Sequence, residues 1–75
     1  MDSNGTRAGR EILAKNLRRL RREKGISQEA LADRAGISQT YLSEVESAKR
    51  NIAVDNIEAL ANAFDVTISA LFDDS

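Results

Sequence analysis

Apolar residues recur along this chain mostly at intervals of three or four, and glycine–apolar–serine steps interrupt them at short, regular distances. In REILAKNLRRLRREKG, the positions Ile12, Leu13, Leu17 and Leu20 trace one helical stripe, charged side chains fill the other faces, and Gly25 stands where a helix would stop. This spacing predicts a first helix over roughly 9–24. Ile26 then precedes Ser27, whose hydroxyl suits an N-cap, so a second helix is expected from Gln28 to about Ala35 with Leu31, Ala32 and Ala35 inward. So short a helix needs its neighbours to hold it, because its own propensity does not suffice. Gly36 ends it, since glycine enters the left-handed conformation without a Cβ penalty.

Ile37 and Ser38 repeat the arrangement and open a third helix, from Gln39 to Glu46 or Ser47. Leu42 and Val45 face inward on it; Gln39, Thr40, Ser43 and Glu44 face outward, all able to hydrogen-bond and none bulky, with Tyr41 at the edge. The stretch SAKRNIAVDN reads as a loop with Ile52 and Val54 tucked down. Asp55 is expected to cap a fourth helix, about 56–64, whose stripe is Ile57, Leu60, Ala61 and Phe64. Thr67 then opens a last short helix, ISALF, carrying Ile68, Leu71 and Phe72.

The expected fold is therefore all-α, a compact five-helix domain over 10–72, with a mobile polar arm at 1–9 and a frayed tail at 73–75. The tetrapeptide GISQ occurs at both 25–28 and 36–39, eleven residues apart. That distance is one short helix plus one turn, so it marks a repeated local device and not a duplicated module.

Composition narrows the chemistry. The chain has 75 residues, enough for one domain, and contains no cysteine, histidine or proline. Disulfides, thiolate ligands and the commonest general base are thereby excluded. With no glycine-rich phosphate loop and no carboxylate pair in an evident pocket, no enzyme, cofactor or metal site is expected. No apolar run approaches the roughly 20 residues that span a bilayer, and MDSNGTRAGR lacks a signal-peptide core, so a cytoplasmic, nucleoid-associated protein is expected.

Net charge is only −1, but it is unevenly spread. Residues 1–24 carry eight bases against three acids, whereas 51–75 carry five acids and no base. One end suits a polyanion and the other turns away from it.

The run QEALADRAGISQTYLSEVES supplies what two short helices need to cross steeply: small Ala32 at the approach, Gly36 at the turn, and Leu42 with Val45 facing back. From there on, NLRRLRREKGISQEALADRAGISQTYLSEVESAKRNIAVDNIEALANAFDV resembles the phage-repressor-like (Xre/Cro) helix-turn-helix DNA-binding family, the motif falling at about 28–47 and the likeness covering roughly 10–72. The TYLSEVE…RN run is also similar to controller proteins of restriction–modification systems, a weaker likeness that many small regulators share.

The resemblance implies that the third helix enters the major groove. Gln39, Thr40, Ser43 and Glu44 would then meet base edges; a glutamine amide can pair with adenine N6 and N7, and a carboxylate can accept from cytosine N4. Gln28, Ser38, Tyr41, Lys49, Arg50 and Asn51 are expected to contact phosphates, and in the family a glutamine at the place of Gln28 also braces the one at Gln39. Arg18, Arg19 and Arg22 would add diffuse attraction. Arg21 and Glu46 match family positions that form a partly buried structural ion pair.

Val66, Ile68, Leu71 and Phe72 are expected to build a homodimer interface, closure of the monomer core being the alternative use of the same residues. Expected partners are double-stranded DNA, a second copy of the chain and, for a regulator, RNA polymerase; neither a membrane nor a small-molecule ligand is expected. The leading function is a homodimeric transcription regulator on a palindromic operator, autoregulatory because nothing beyond the helical domain remains to bind an inducer. A contrasting function is an antitoxin or adaptor that uses the same fold to hold a protein, and the acid-leaning charge favours that reading slightly.

Overall fold

The computed structural model describes residues 3–74. Four α-helices, α1 (Ser3–Lys24), α2 (Gln28–Ala35), α3 (Gln39–Glu46) and α4 (Val54–Phe64), are followed by a 3-10 helix (Ile68–Phe72), and no strand occurs among the described residues. The all-α expectation stands, but the fifth element is not an α-helix. Between the Thr67 cap and Asp73 its bonds run three residues back, Ala70 N–H to Thr67 O at 3.1 Å and Asp73 N–H to Ala70 O at 3.5 Å. Five residues are too few to establish the longer α pattern before the chain turns extended.

α1 begins six residues earlier than its apolar stripe indicates. Nothing in SNGTRAG forbids a helix: proline is absent, and glycines weaken helices without breaking them. Residues 1, 2 and 75, the extremes of the expected arm and tail, lie outside the described residues.

Leu13, Leu17 and Leu20 of α1, Leu31 and Ala32 of α2, Leu42 and Val45 of α3, Leu60, Ala61 and Phe64 of α4, and Leu71 form one core. α1 packs on α3 and the 3-10 helix, while α2 packs on α3 and α4. Ile12 is only half-buried; the stripe of α1 runs instead through Ala14 and Asn16. Asn16 is 1% exposed and is satisfied there, donating from Nδ2 to the carbonyls of Leu71 at 2.8 Å and Asp73 at 2.9 Å. A buried amide thus fastens the C-terminal segment to the middle of α1.

The connections share one design. α1 ends with Gly25 at φ +66°, its N–H bonded to Arg22 O at 3.2 Å and the next N–H, of Ile26, reaching back to Arg21 O at 3.0 Å. α2 ends the same way through Gly36 at φ +72°, with Ile37 N–H bonded to Ala32 O at 3.0 Å. α3 and α4 repeat the pattern with Ala48 and Asp65, both at φ +60°. Ile26, Ile37 and Val66, the residues after three of these stops, pack against the core.

Two expectations fail at α4. Asp55 is not its cap: the helix begins at Val54 behind Ala53, which makes no side-chain capping bond, and Asp55 sits in the first turn where its charge complements the helix dipole. Val54 is not tucked down but 71% exposed, because it opens the helix instead of closing the loop beneath it. Ile52 does pack against the core.

Candidate nucleic-acid interface

The N-termini of α2 and α3 are built alike. Ser27 Oγ accepts from Ala30 N–H, and Ser38 Oγ accepts from Tyr41 N–H, each at 3.0 Å. Each cap occupies one of the first amide groups of its helix, and the amides before it have no intrahelical acceptor, an arrangement that suits an anion.

On α3, Gln39, Thr40 and Ser43 are exposed and Glu44 is half-buried. Together with Gln28 they line a shallow concavity of about 430 Å³. All four residues expected to meet base edges therefore share one face with the glutamine that opens α2. Gln28 is turned inward along that face: its Nε2 donates to Glu46 Oε1 at 3.1 Å, and Gln39 Nε2 points at its Oε1 from 3.5 Å.

Behind this face lies the Arg21–Glu46 pair. Arg21 Nε donates to Glu46 Oε2 at 2.8 Å and Nη2 to Oε1 at 3.0 Å, while Nη1 reaches Ile26 O at 3.2 Å. The hydrogen bonds to Glu46 raise the guanidinium pKa further, against the opposing effect of burial, so its charge is fixed. Glu46 is 4% exposed, and its backbone carbonyl also accepts from Arg18. The fork ties the α1–α2 turn to the end of α3 and so sets how the two motif helices sit.

The flank of α3 carries a second group. The Arg50 guanidinium lies 4.9 Å from the centre of the Tyr41 ring, and its Nε pairs with Glu44 Oε1 at 3.2 Å. Tyr41 OH accepts from Asn56 Nδ2 at 3.2 Å, which leaves the hydroxyl its own proton to donate. Asn51 Oδ1 accepts from Arg10 Nε at 3.0 Å and from Nη2 at 2.6 Å, so the NH2 of that amide is the end available to a phosphate. Lys49 is exposed. Of the α1 bases expected to give diffuse attraction, Arg18 is drawn to Glu46 and Arg19 pairs with Glu23 at 3.1 Å; Arg22 is exposed.

The residues expected at a dimer interface divide. Leu71 is fully buried in the protomer core, which removes it from any surface, and Val66 is half-buried against that core. Ile68 and Phe72 are 42% and 38% exposed. Phe72 also lines a groove of about 200 Å³ with Ile52 and Ile57.

Sequence reasoning missed Asn16, Arg10, Asn56 and the Glu46–Gln28 bond. Asn16 was detectable: it stands at helical spacing between Leu13 and Leu20, a polar side chain on an apolar stripe. The others join residues far apart in the chain and leave no periodic mark.

Two short helices crossing at a glycine turn, with an outward polar face and cations beside it, define a helix-turn-helix DNA-binding domain. The Helix-turn-helix family HTH_3 matches residues 17–71, and the chain belongs to this family of DNA-binding transcription regulators. It is 45% identical over 58 residues to the uncharacterized HTH-type transcriptional regulator y4dJ of Sinorhizobium fredii, covering 77% of this chain and 75% of that one. Control protein C.MunI of a Mycoplasma species is 39% identical over 59 residues, covering 77% and 80%. The crystal structure of the restriction–modification controller protein C.AhdI from Aeromonas hydrophila superposes with a TM-score of 0.81 at 40% identity, covering 84% of this chain and 96% of that one. No helix among the described residues is long and apolar enough to cross a membrane.

Proposed function

We propose that this chain is a sequence-specific regulator that binds a palindromic operator as a homodimer, with α3 in the major groove and the 3-10 end holding the second copy. The observation that carries this reading is the shared concavity of Gln28, Gln39, Thr40, Ser43 and Glu44, an exposed polar surface on a helix set by its neighbours. Gln39, Thr40, Ser43 and Glu44 read base edges; Ser38, Tyr41, Lys49, Arg50, Asn51 and the amide end of α2 at Gln28 grip phosphates. Two such domains on a two-fold axis address half-sites about 34 Å apart. Ile68 and Phe72, exposed in the acidic third of the chain, support a dimer contact remote from DNA.

Controller-like autoregulation, contact with RNA polymerase and a cytoplasmic, nucleoid-associated location complete the proposal, supported by the likeness to restriction–modification controllers. Selection from random duplexes tests it: one palindromic sequence should emerge, with log K falling against log salt at a slope of about −5 if roughly six phosphates are neutralised per dimer. Absence of any duplex preference would defeat the reading and favour a protein-holding role. Light scattering that stays monomeric at high micromolar concentration would defeat the dimer.

A further inference from the structure

We infer that Glu46, besides closing the ion pair with Arg21, is a positioning residue that fixes the polarity of the glutamine at the groove through Gln28. This deepens the DNA-binding reading and rests on it. A carboxylate can only accept. The Gln28 atom 3.1 Å from Glu46 Oε1 must therefore be Nε2, because the amide oxygen would meet a negative charge with no proton between them. Once Nε2 faces inward, Gln28 Oε1 faces Gln39, and only an N–H of Gln39 can approach it, as it does from 3.5 Å.

Each step removes one of two amide orientations. Gln39 is left presenting its own Oε1 and its second N–H in one fixed order. That order matches the N6 donor and N7 acceptor of adenine, and mismatches guanine, whose O6 and N7 both accept. An exposed glutamine without this chain could turn its amide over, which fails adenine at both atoms and offers an N–H to guanine O6, so the discrimination narrows. Glu46 is 4% exposed, so it acts on base choice through Gln28 and not by touching a base itself.

The test separates a polarity role from simple support. In duplex selection and competition, the wild-type protein should favour adenine about tenfold at one symmetric operator position. Glu46→Gln can donate as well as accept, so preference there should fall to about twofold while the other positions and random-duplex binding hold. Arg21→Lys keeps the carboxylate but loses the fork; it should melt earlier and keep the adenine preference.

If Glu46→Gln does not fold, Arg21→Met/Glu46→Leu replaces the pair by apolar groups, a change that such sites often tolerate, and should lose the same single preference. Retained preference in a folded protein without the Glu46 carboxylate overturns the inference, as does equal loss in Arg21→Lys. A wild-type protein with no duplex preference overturns the DNA-binding reading itself, a different outcome from either.

Discussion

The segments at 25–28 and 36–39 are identical in sequence and nearly so in backbone, yet their glutamines stand in different surroundings. Both glycines are left-handed, and the two serines sit at φ −78°, ψ 163° and φ −73°, ψ 151°. Gln28 is half-buried and held by Glu46; Gln39 is exposed at the mouth of the same concavity. The local device sets where a helix starts and how it is capped. What its first side chain does depends on which helix end lies opposite: α2 begins beside the buried end of α3, and α3 begins at the open face.

A third example extends the comparison. Asp65, Val66, Thr67 and Ile68 follow the same plan, with a left-handed stop, an apolar plug, a hydroxyl cap and a helix start. Thr67 Oγ1 accepts from Ala70 N–H at 3.2 Å, the bond that Ser27 and Ser38 make. Two of the four residue types differ in chemistry, the first and the last: aspartate replaces glycine at the left-handed position, which it tolerates better than most side chains, and isoleucine replaces glutamine at the helix start. Here the first residue, Ile68, is apolar and exposed, and the element stays a 3-10 helix.

The largest expected effect breaks the first copy away from the core. Glu46→Ala leaves the Arg21 guanidinium partly buried without its carboxylate and should cost about 3 kcal/mol in denaturant unfolding, far more than any change at Gln39. Next, Asn16→Ala strips the carbonyls of Leu71 and Asp73 of their donor and should cost about 2 kcal/mol, loosening the third copy while the first two stay capped.

Ser27→Ala and Ser38→Ala should each cost about 1 kcal/mol by thermal melting, because the two capping bonds have equal lengths. Markedly unequal losses would show that the two copies differ energetically as well as in role. The smallest effect carries the opposite sign. Ala48, left-handed at φ +60° where α3 ends, pays the strain that the glycine stops avoid; Ala48→Gly should stabilise by about 0.5 kcal/mol, since relief of that strain exceeds the entropy added to the unfolded chain.

The repeated tetrapeptide made the starts of α2 and α3 legible to the residue, because a cap and a stop act within four positions of the helix end they set. Asp55 misled for the same reason: an aspartate near a helix start is a good cap by type, yet Ala53 holds that place and Asp55 falls in the first turn. The polar face of α3 was readable from the same periodicity that placed Leu42 and Val45 inward. The surroundings of Gln28 were not, since nothing in its neighbours along the chain refers to Glu46.

By itself, the sequence determined the helical class, the two serine caps, the glycine stops and most of the apolar core, all consequences of short-range sterics and helical period. Tertiary packing alone decided that Leu71 is core while Phe72 is surface, that Asn16 takes the carbonyls of Leu71 and Asp73 as its partners, and that Glu46 reaches Gln28. These depend on where separate helices meet, and a side chain buried against a distant segment takes its partners from that segment. The two identical tetrapeptides therefore share their form by sequence and differ in use by position.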